Sequence, residues 1–147
     1  MSINLVVGDI SDSIYDIANI MKNNDVGFVP IADKNHVVGV VTDRDIVVRG
    51  INNNMKLNTN IEEIMTSHIF TINEHSDLSS ALKIMGDKQL KRLLVLNGKK
   101  IVGVISISDI IKSSSYDNEI INSLKKIEEN NHSGNINYES KIDEFYL

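Results

Sequence analysis

Two stretches carry residue types that could hold a small polar ligand. One is Gly39-Val40-Val41-Thr42-Asp43-Arg44-Asp45, the other Gly103-Val104-Ile105-Ser106-Ile107-Ser108-Asp109, and they align without a gap at an offset of 64 residues. In each, a β-branched run long enough for a buried strand breaks at a hydroxyl residue, and an aspartate follows three residues on, where a helix should start. A hydroxyl and a carboxylate on such a turn can both hydrogen-bond a ligand. The free N–H groups of a helix N-terminus favour an anion beside them. The turn could therefore hold the ribose and phosphate of a nucleotide. The plainer alternative is that Thr42 and Ser106 are helix N-caps, as threonine and serine often are. For one copy alone the plainer alternative is the stronger; the duplication weighs against it.

The elements that must position these turns also occur twice. Leu5-Val6-Val7 reads as a short strand. A helix capped by Asp12 or Ser13 follows, with Ile14, Ile17, Ala18, Ile20 and Met21 on one face. Phe28 to Ala32 reads as a strand whose Pro30 should sit at a strand end or an edge, because proline donates no ladder bond. Residues 33–36 form a hairpin turn, Val37 to Val41 the return strand, and Asp43 to about Gly50 a second helix. After a polar linker over 51–60, the short segment Ile61-Glu62-Glu63-Ile64-Met65 leads into the second copy. There Ile69-Phe70, the cap Ser76, the face Leu78, Ala81, Leu82, Ile84 and Met85, and the strand Leu93 to Leu96 match their counterparts, with Asn97-Gly98 as a tight turn. One such unit has too little core to stand alone, whereas two related by a pseudo-twofold could bury each other's sheets. The fold class is α+β (α/β): two β-α-β-β-α repeats packed through small sheets, followed by a C-terminal helix and tail. The expected divisions are 1–52, a linker and lead-in over 53–66, 67–113, and 114–147.

Composition narrows the function classes. The chain has no cysteine, so disulfides and thiolate chemistry are out. No apolar run approaches the roughly 20 residues of a membrane span, and no secretion signal is visible, so a cytoplasmic location is expected. Net charge is −5, and residues 113–147 hold seven acids against three bases. The body is thus close to neutral, which argues against a non-specific nucleic-acid binder. The four histidines sit in turns and the tail without metal-ligand spacing, so no metal site is expected. No P-loop, GxGxxG or nucleophile elbow occurs. Asp43 and Asp45 diverge across a helix start and make a poor acid/base pair.

These repeats resemble the CBS domain pair, or Bateman module, over residues 1 to about 113. The resemblance rests on the two Gly-to-Asp motifs and on Ile61-Glu62-Glu63-Ile64-Met65-Thr66, which is similar to the segment that opens a CBS repeat. The first copy begins at Met1, aligned with Met65, and lacks that lead-in; a stand-alone CBS-pair protein is expected. The resemblance implies an adenosine-containing ligand, AMP, ADP, ATP or S-adenosylmethionine, in clefts between the repeats, with no cofactor required. It implies that Asp45 and Thr42 serve one cleft and Asp109 and Ser106 the other. It also implies that basic residues at the start of a repeat's second strand reach phosphates near the other repeat's motif. Lys91 and Arg92 occupy that position in the second repeat and Gly27 and Phe28 in the first. The phosphate site is therefore expected at Thr42, Arg44 and Asp45 with Lys91 and Arg92, and Val29, Pro30, Leu93 and Leu94 are expected to line the clefts near adenine. Lys91 and Arg92 could equally be a solvated pair, and Arg44 could be neutralised by Asp43 and Asp45.

Past Ser113-Ser114-Ser115, a helix over Glu119 to Glu129 would present Ile120, Ile121, Leu124 and Ile127, packing on its own domain or on a dimer mate. Residues 130–147 look flexible, yet Tyr138, Ile142, Phe145, Tyr146 and Leu147 could dock a partner. The expected function is a regulatory ligand sensor, not an enzyme, that forms a homodimer and signals to an unidentified protein partner, with no membrane and no nucleic-acid role. The alternative is a nucleotide-independent dimeric scaffold acting through the tail.

Overall fold

A computed structural model describes residues 5–113 and 118–131. It contains two three-stranded sheets, β1-β2-β3 and β4-β5-β6, among the described residues. The strands are β1 (Gly8–Asp9), β2 (Phe28–Asp33), β3 (His36–Thr42), β4 (Thr71–Asn73), β5 (Arg92–Asn97) and β6 (Lys100–Ser106). The helices are α1 (Ile14–Asn24), the single turn α2 (Asp43–Asp45), α3 (Leu78–Lys88), α4 (Ile107–Ser113) and α5 (Asn118–Asn131). By packing the chain divides into two compact units, residues 1–74 with 94–104 and residues 75–93 with 105–147.

The duplication extends to single hydrogen bonds. Ile10 N–H donates to Ala32 and Glu74 to Leu96; Val26 donates to Met21 and Leu90 to Met85; Asp43 donates to Gly27 and Ile107 to Lys91, every pair at the same offset. Helices α1 and α3 stop the same way, at a left-handed Asp25 (φ 52°) and Gln89 (φ 56°).

In the first unit, α1 starts at Ser13, whose Oγ accepts the Asp16 N–H while the Asp16 carboxylate accepts the Ser13 N–H. Its next two free donors are taken by the segment expected to be a mere linker: Ile14 N–H donates to Thr59 and Tyr15 N–H to Leu57. The chain then makes a 3-10 turn at Ile61–Glu63, and Ile61 and Ile64, 0% and 1% exposed, close a core with Ile14, Ile17, Met21, Val29, Ile31 and Val41. Thr66 exchanges both backbone bonds with Val40 at 2.9 Å. This approach explains Gly39, where a Cβ would lie 2.6 Å from Met65 Sδ and 3.0 Å from the Thr66 carbonyl. The lead-in to the second copy thus completes the core of the first.

Several expectations need correction. Leu5-Val6-Val7 is not a strand; pairing is confined to Gly8 and Asp9, opposite Ile31 and Ala32. The pattern of apolar residues reports burial rather than pairing, and in the second copy β4 likewise begins at Thr71 rather than Ile69. Pro30 lies inside the central strand of its sheet, opposite Val40. Val40 spends its N–H and C=O on Thr66, so Pro30 and Val40 form a non-hydrogen-bonded pair and the proline nitrogen faces the β1 side. There β1 reaches only Ile31 and Ala32, and no ladder donor is missed. The helix expected over Asp43 to Gly50 widens after α2 into a π-helix, Ile46–Ile51, with Asn52 N–H donating to Val47 and Met55 N–H to Gly50. The cap of α3 is Asp77, not Ser76, with Oδ1 accepting the Ser80 N–H at 2.8 Å.

In the second unit α5 packs on α3. The crossing is at Gly86, where a Cβ would lie 3.4 Å from Ser123 Oγ, and Lys126 Nζ reaches Asp87 Oδ1 at 3.3 Å. Ser123 and Ile127 face inward, whereas Ile121, expected on the buried face, is 38% exposed. A Cβ at Gly86 would make ordinary contact with Ser123 and Lys126, so the two helices lie close at this point with Ser123 rather than Ile121 turned inward. The tail over 132–147, expected to dock a partner, lies outside the described residues. Among the described residues no helix is long and apolar enough to cross a membrane.

Ile64→Ala should destabilise the protein by about 2–5 kcal/mol, as much as Ile17→Ala, because each leaves a cavity in one core. Urea unfolding monitored by circular dichroism measures this. A loss below about 1 kcal/mol for Ile64→Ala would show that the lead-in does not belong to that core.

Candidate ligand-binding site

Both motifs end a strand and start a helix. Thr42 stands in extended backbone (φ −110°, ψ 161°), its Oγ1 accepting the Asp45 N–H at 3.2 Å and its own N–H donating to Asp45 Oδ2 at 2.9 Å. Ser106 repeats this with Asp109: Oγ accepts at 3.2 Å, and the Ser106 N–H donates to Oδ2 at 3.0 Å. The hydroxyls are therefore N-caps, as the plainer reading has it, and the aspartates are fixed as their reciprocal partners. Capping uses one carboxylate oxygen. At Asp45 the other, Oδ1, lies 3.7 Å from Arg49 Nε.

Arg49 escaped the sequence reading. Its Nη1 also donates to the Ile64 carbonyl at 3.1 Å and to Thr66 Oγ1 at 3.2 Å, tying the aspartate to the lead-in segment. The signal was present as an acid followed by an arginine four residues on. Arg44, the arginine expected at the site, is exposed, and its backbone N–H donates to Asp43 Oδ1 at 2.9 Å. With side chains 49% and 17% exposed, the Arg49–Asp45 pair contributes about 1 kcal/mol at most.

The remaining expected residues separate clearly. Val29 and Pro30 are fully buried in β2, opposite Val41 and Val40, and Leu93 and Leu94 are each 1% exposed in β5. Lys91 and Arg92 are exposed at the entry to β5, and the Lys91 carbonyl accepts the Ile107 N–H at 3.1 Å, one residue past Ser106. Lys91 thus adjoins the Ser106–Asp109 turn of its own repeat, in the second unit. Thr42, Arg44 and Asp45 belong to the first unit. Among the described residues no cluster of three or more histidine, cysteine or acidic side chains could hold a metal ion.

Burial is the largest influence on the Asp109 carboxyl and opposes its charge, yet the Ser106 N–H and hydroxyl, with Lys112 nearby, outweigh it and hold its pKa below the usual value. The acid is a carboxylate at neutral pH and therefore a hydrogen-bond acceptor only.

The family model for the CBS domain matches residues 1–50 and 61–116. The uncharacterized protein YlbB of Bacillus subtilis is 30% identical over 131 residues, 88% of either chain. A putative signal-transduction protein with CBS domains from Burkholderia ambifaria superposes with TM-score 0.69 at 25% identity, covering 79% of this chain and 89% of that one. A CBS domain protein from Pyrobaculum aerophilum complexed with AMP superposes with TM-score 0.68 at 22% identity, covering 82% and 91%.

A carboxyl whose folded pKa is depressed stabilises the fold above its unfolded pKa of about 3.9, and that contribution is lost as pH falls through the lower folded value. The stability gap between wild type and Asp109→Asn should therefore be widest near neutrality and shrink in acid. Urea midpoints across that range test this, and a gap independent of pH would contradict the assignment.

Proposed function

The chain belongs to the CBS domain family, and on that premise we propose that it is a regulatory module that binds an adenosine-containing ligand and signals its occupancy to a protein partner. The observation that carries this is the doubled strand-to-helix turn, in which a hydroxyl and a carboxylate are locked together with one carboxylate oxygen turned away from the cap. The ligand class is AMP, ADP, ATP or S-adenosylmethionine, and the AMP bound to the Pyrobaculum protein supports it. The ribose hydroxyls would donate to Asp45 or Asp109, and the phosphate would lie near Thr42 or Ser106. Arg44 would supply positive charge at the Thr42–Asp45 turn and Lys91 and Arg92 at the Ser106–Asp109 turn, and the strands at Val29, Pro30, Leu93 and Leu94 would offer the adenine stiff, core-anchored backbone. No reaction is assigned: the ligand biases a conformational equilibrium that a partner reads.

A second reading, a dimeric scaffold indifferent to nucleotide, draws on the π-helix, whose Val47, Val48 and Ile51 are 55%, 46% and 62% exposed. A homodimer would cover them, and it is compatible with ligand sensing.

A thermal-shift series with AMP, ADP, ATP and S-adenosylmethionine separates the readings. A ligand at 100 times its Kd adds about 2.7 kcal/mol, several degrees in Tm, which exceeds the roughly 1 kcal/mol cost of damaging a cap. The sensor reading expects a shift with at least one adenosine ligand that Asp45→Asn or Asp109→Asn abolishes. No shift with any of them would leave the scaffold, to be checked by sedimentation of Ile51→Glu.

A further inference from the structure

The two hairpin turns enclose a concavity that has no part in the Thr–Asp turns. It holds about 600 Å³ and lies wholly within the first unit. Its apolar wall is Leu5, Val7, Ala32 and Ile101. Its rim carries His36 from the first turn and Lys99 and Lys100 from the second, all three exposed. None of these three side chains makes a hydrogen bond or ion pair with another described residue.

The repeat supplies an internal comparison. A second concavity of about 240 Å³ is lined by His36, Val37, Ile69, Leu96, Gly98 and Lys99. The offset of 64 carries Leu5 onto Ile69, Asn35 onto Lys99 and Val37 onto Ile101, so the two linings are repeat equivalents. Ala32 maps onto Leu96, and the larger side chain fills the space in the smaller one. Ligand cavities run from roughly 300 to 1,000 Å³, so the alanine side is ligand-sized and the leucine side is not.

We propose that the cavity between the hairpin turns, walled by Leu5, Val7, Ala32 and Ile101 and rimmed by His36, Lys99 and Lys100, is a second ligand site for a small molecule with an apolar body and an anionic group. The apolar body rests on the strand side chains, and the anion meets two ammonium groups and an imidazole. The chain carries a net charge of −5, so this is a local reversal of sign rather than a general attraction for anions. The site is separate from the adenosine turns and takes its ligand whether or not they are filled.

The probe is 8-anilinonaphthalene-1-sulfonate, an aromatic body with one sulfonate, titrated into the full chain by fluorescence. Saturable one-to-one binding is expected, weakening with added salt. Ala32→Leu, which installs the residue of the small cavity, should weaken it about tenfold or more while keeping the wild-type Tm and any adenosine-ligand shift. Lys100→Ser should weaken it several-fold. Should Ala32→Leu fail to fold, amide chemical shifts of the wild-type chain decide: perturbations must centre on Asn35, His36 and Lys99 to Ile101. Unchanged binding in a folded Ala32→Leu protein, perturbations elsewhere, or loss of signal in Val48→Asp instead would overturn the proposal.

Discussion

At the two places where a strand becomes a helix, a hydroxyl and a carboxylate three residues apart accept each other's backbone N–H groups. This reciprocal bond carries two consequences at once. It satisfies helix donors that would otherwise be bare, worth about 1 kcal/mol at each cap. It also fixes the rotamer of the aspartate: one oxygen is committed to the cap, and at Asp45 the other lies 3.7 Å from Arg49 Nε. Structural and functional readings of Thr42 and Asp45 therefore do not compete. In the proposed site, an aspartate that caps the helix would already be oriented before a ligand arrives, and little entropy would remain to be lost on binding.

Legibility in the sequence followed the physics of each signal. Burial periodicity located α1, α3, β2, β3, β5 and β6, because an apolar face of fixed period arises from one-sided burial and from little else. Pairing was less visible. Whether Leu5 or Gly8 joins the sheet depends on a partner strand that local pattern does not contain. Pro30 departs from the strand end or edge that local pattern suggests because its tolerance comes from Val40 turning to Thr66 and from β1 stopping short, both long-range facts. The segment over 51–60 looked like a linker since its contribution is made by carbonyls, which every residue has; nothing in its side chains announces that Thr59 and Leu57 cap α1. Arg49 is legible as an i, i+4 partner of Asp45, although the motif itself draws attention to the nearer Arg44.

The repeats have also diverged in useful ways. Gly86 lets α5 approach α3, and its counterpart on α1 is Lys22, an exposed cation that would obstruct the same crossing. In the same spirit, the alanine and leucine at positions 32 and 96 make one hairpin concavity roomy and the other shallow. Duplication supplies two equivalent frames, and single side chains decide what each can accept.

Ile61 and Ile64 belong to the second repeat by sequence and to the first by packing. A ribosome delivering this chain must therefore release it through Thr66 before the first core can close. The emerging first repeat waits, incompletely sealed, for the opening residues of its successor. The unit that was copied and the unit that folds are offset by this one short segment. A gene break placed after residue 52 would move an intact repeat by alignment and leave behind the two isoleucines that shut it.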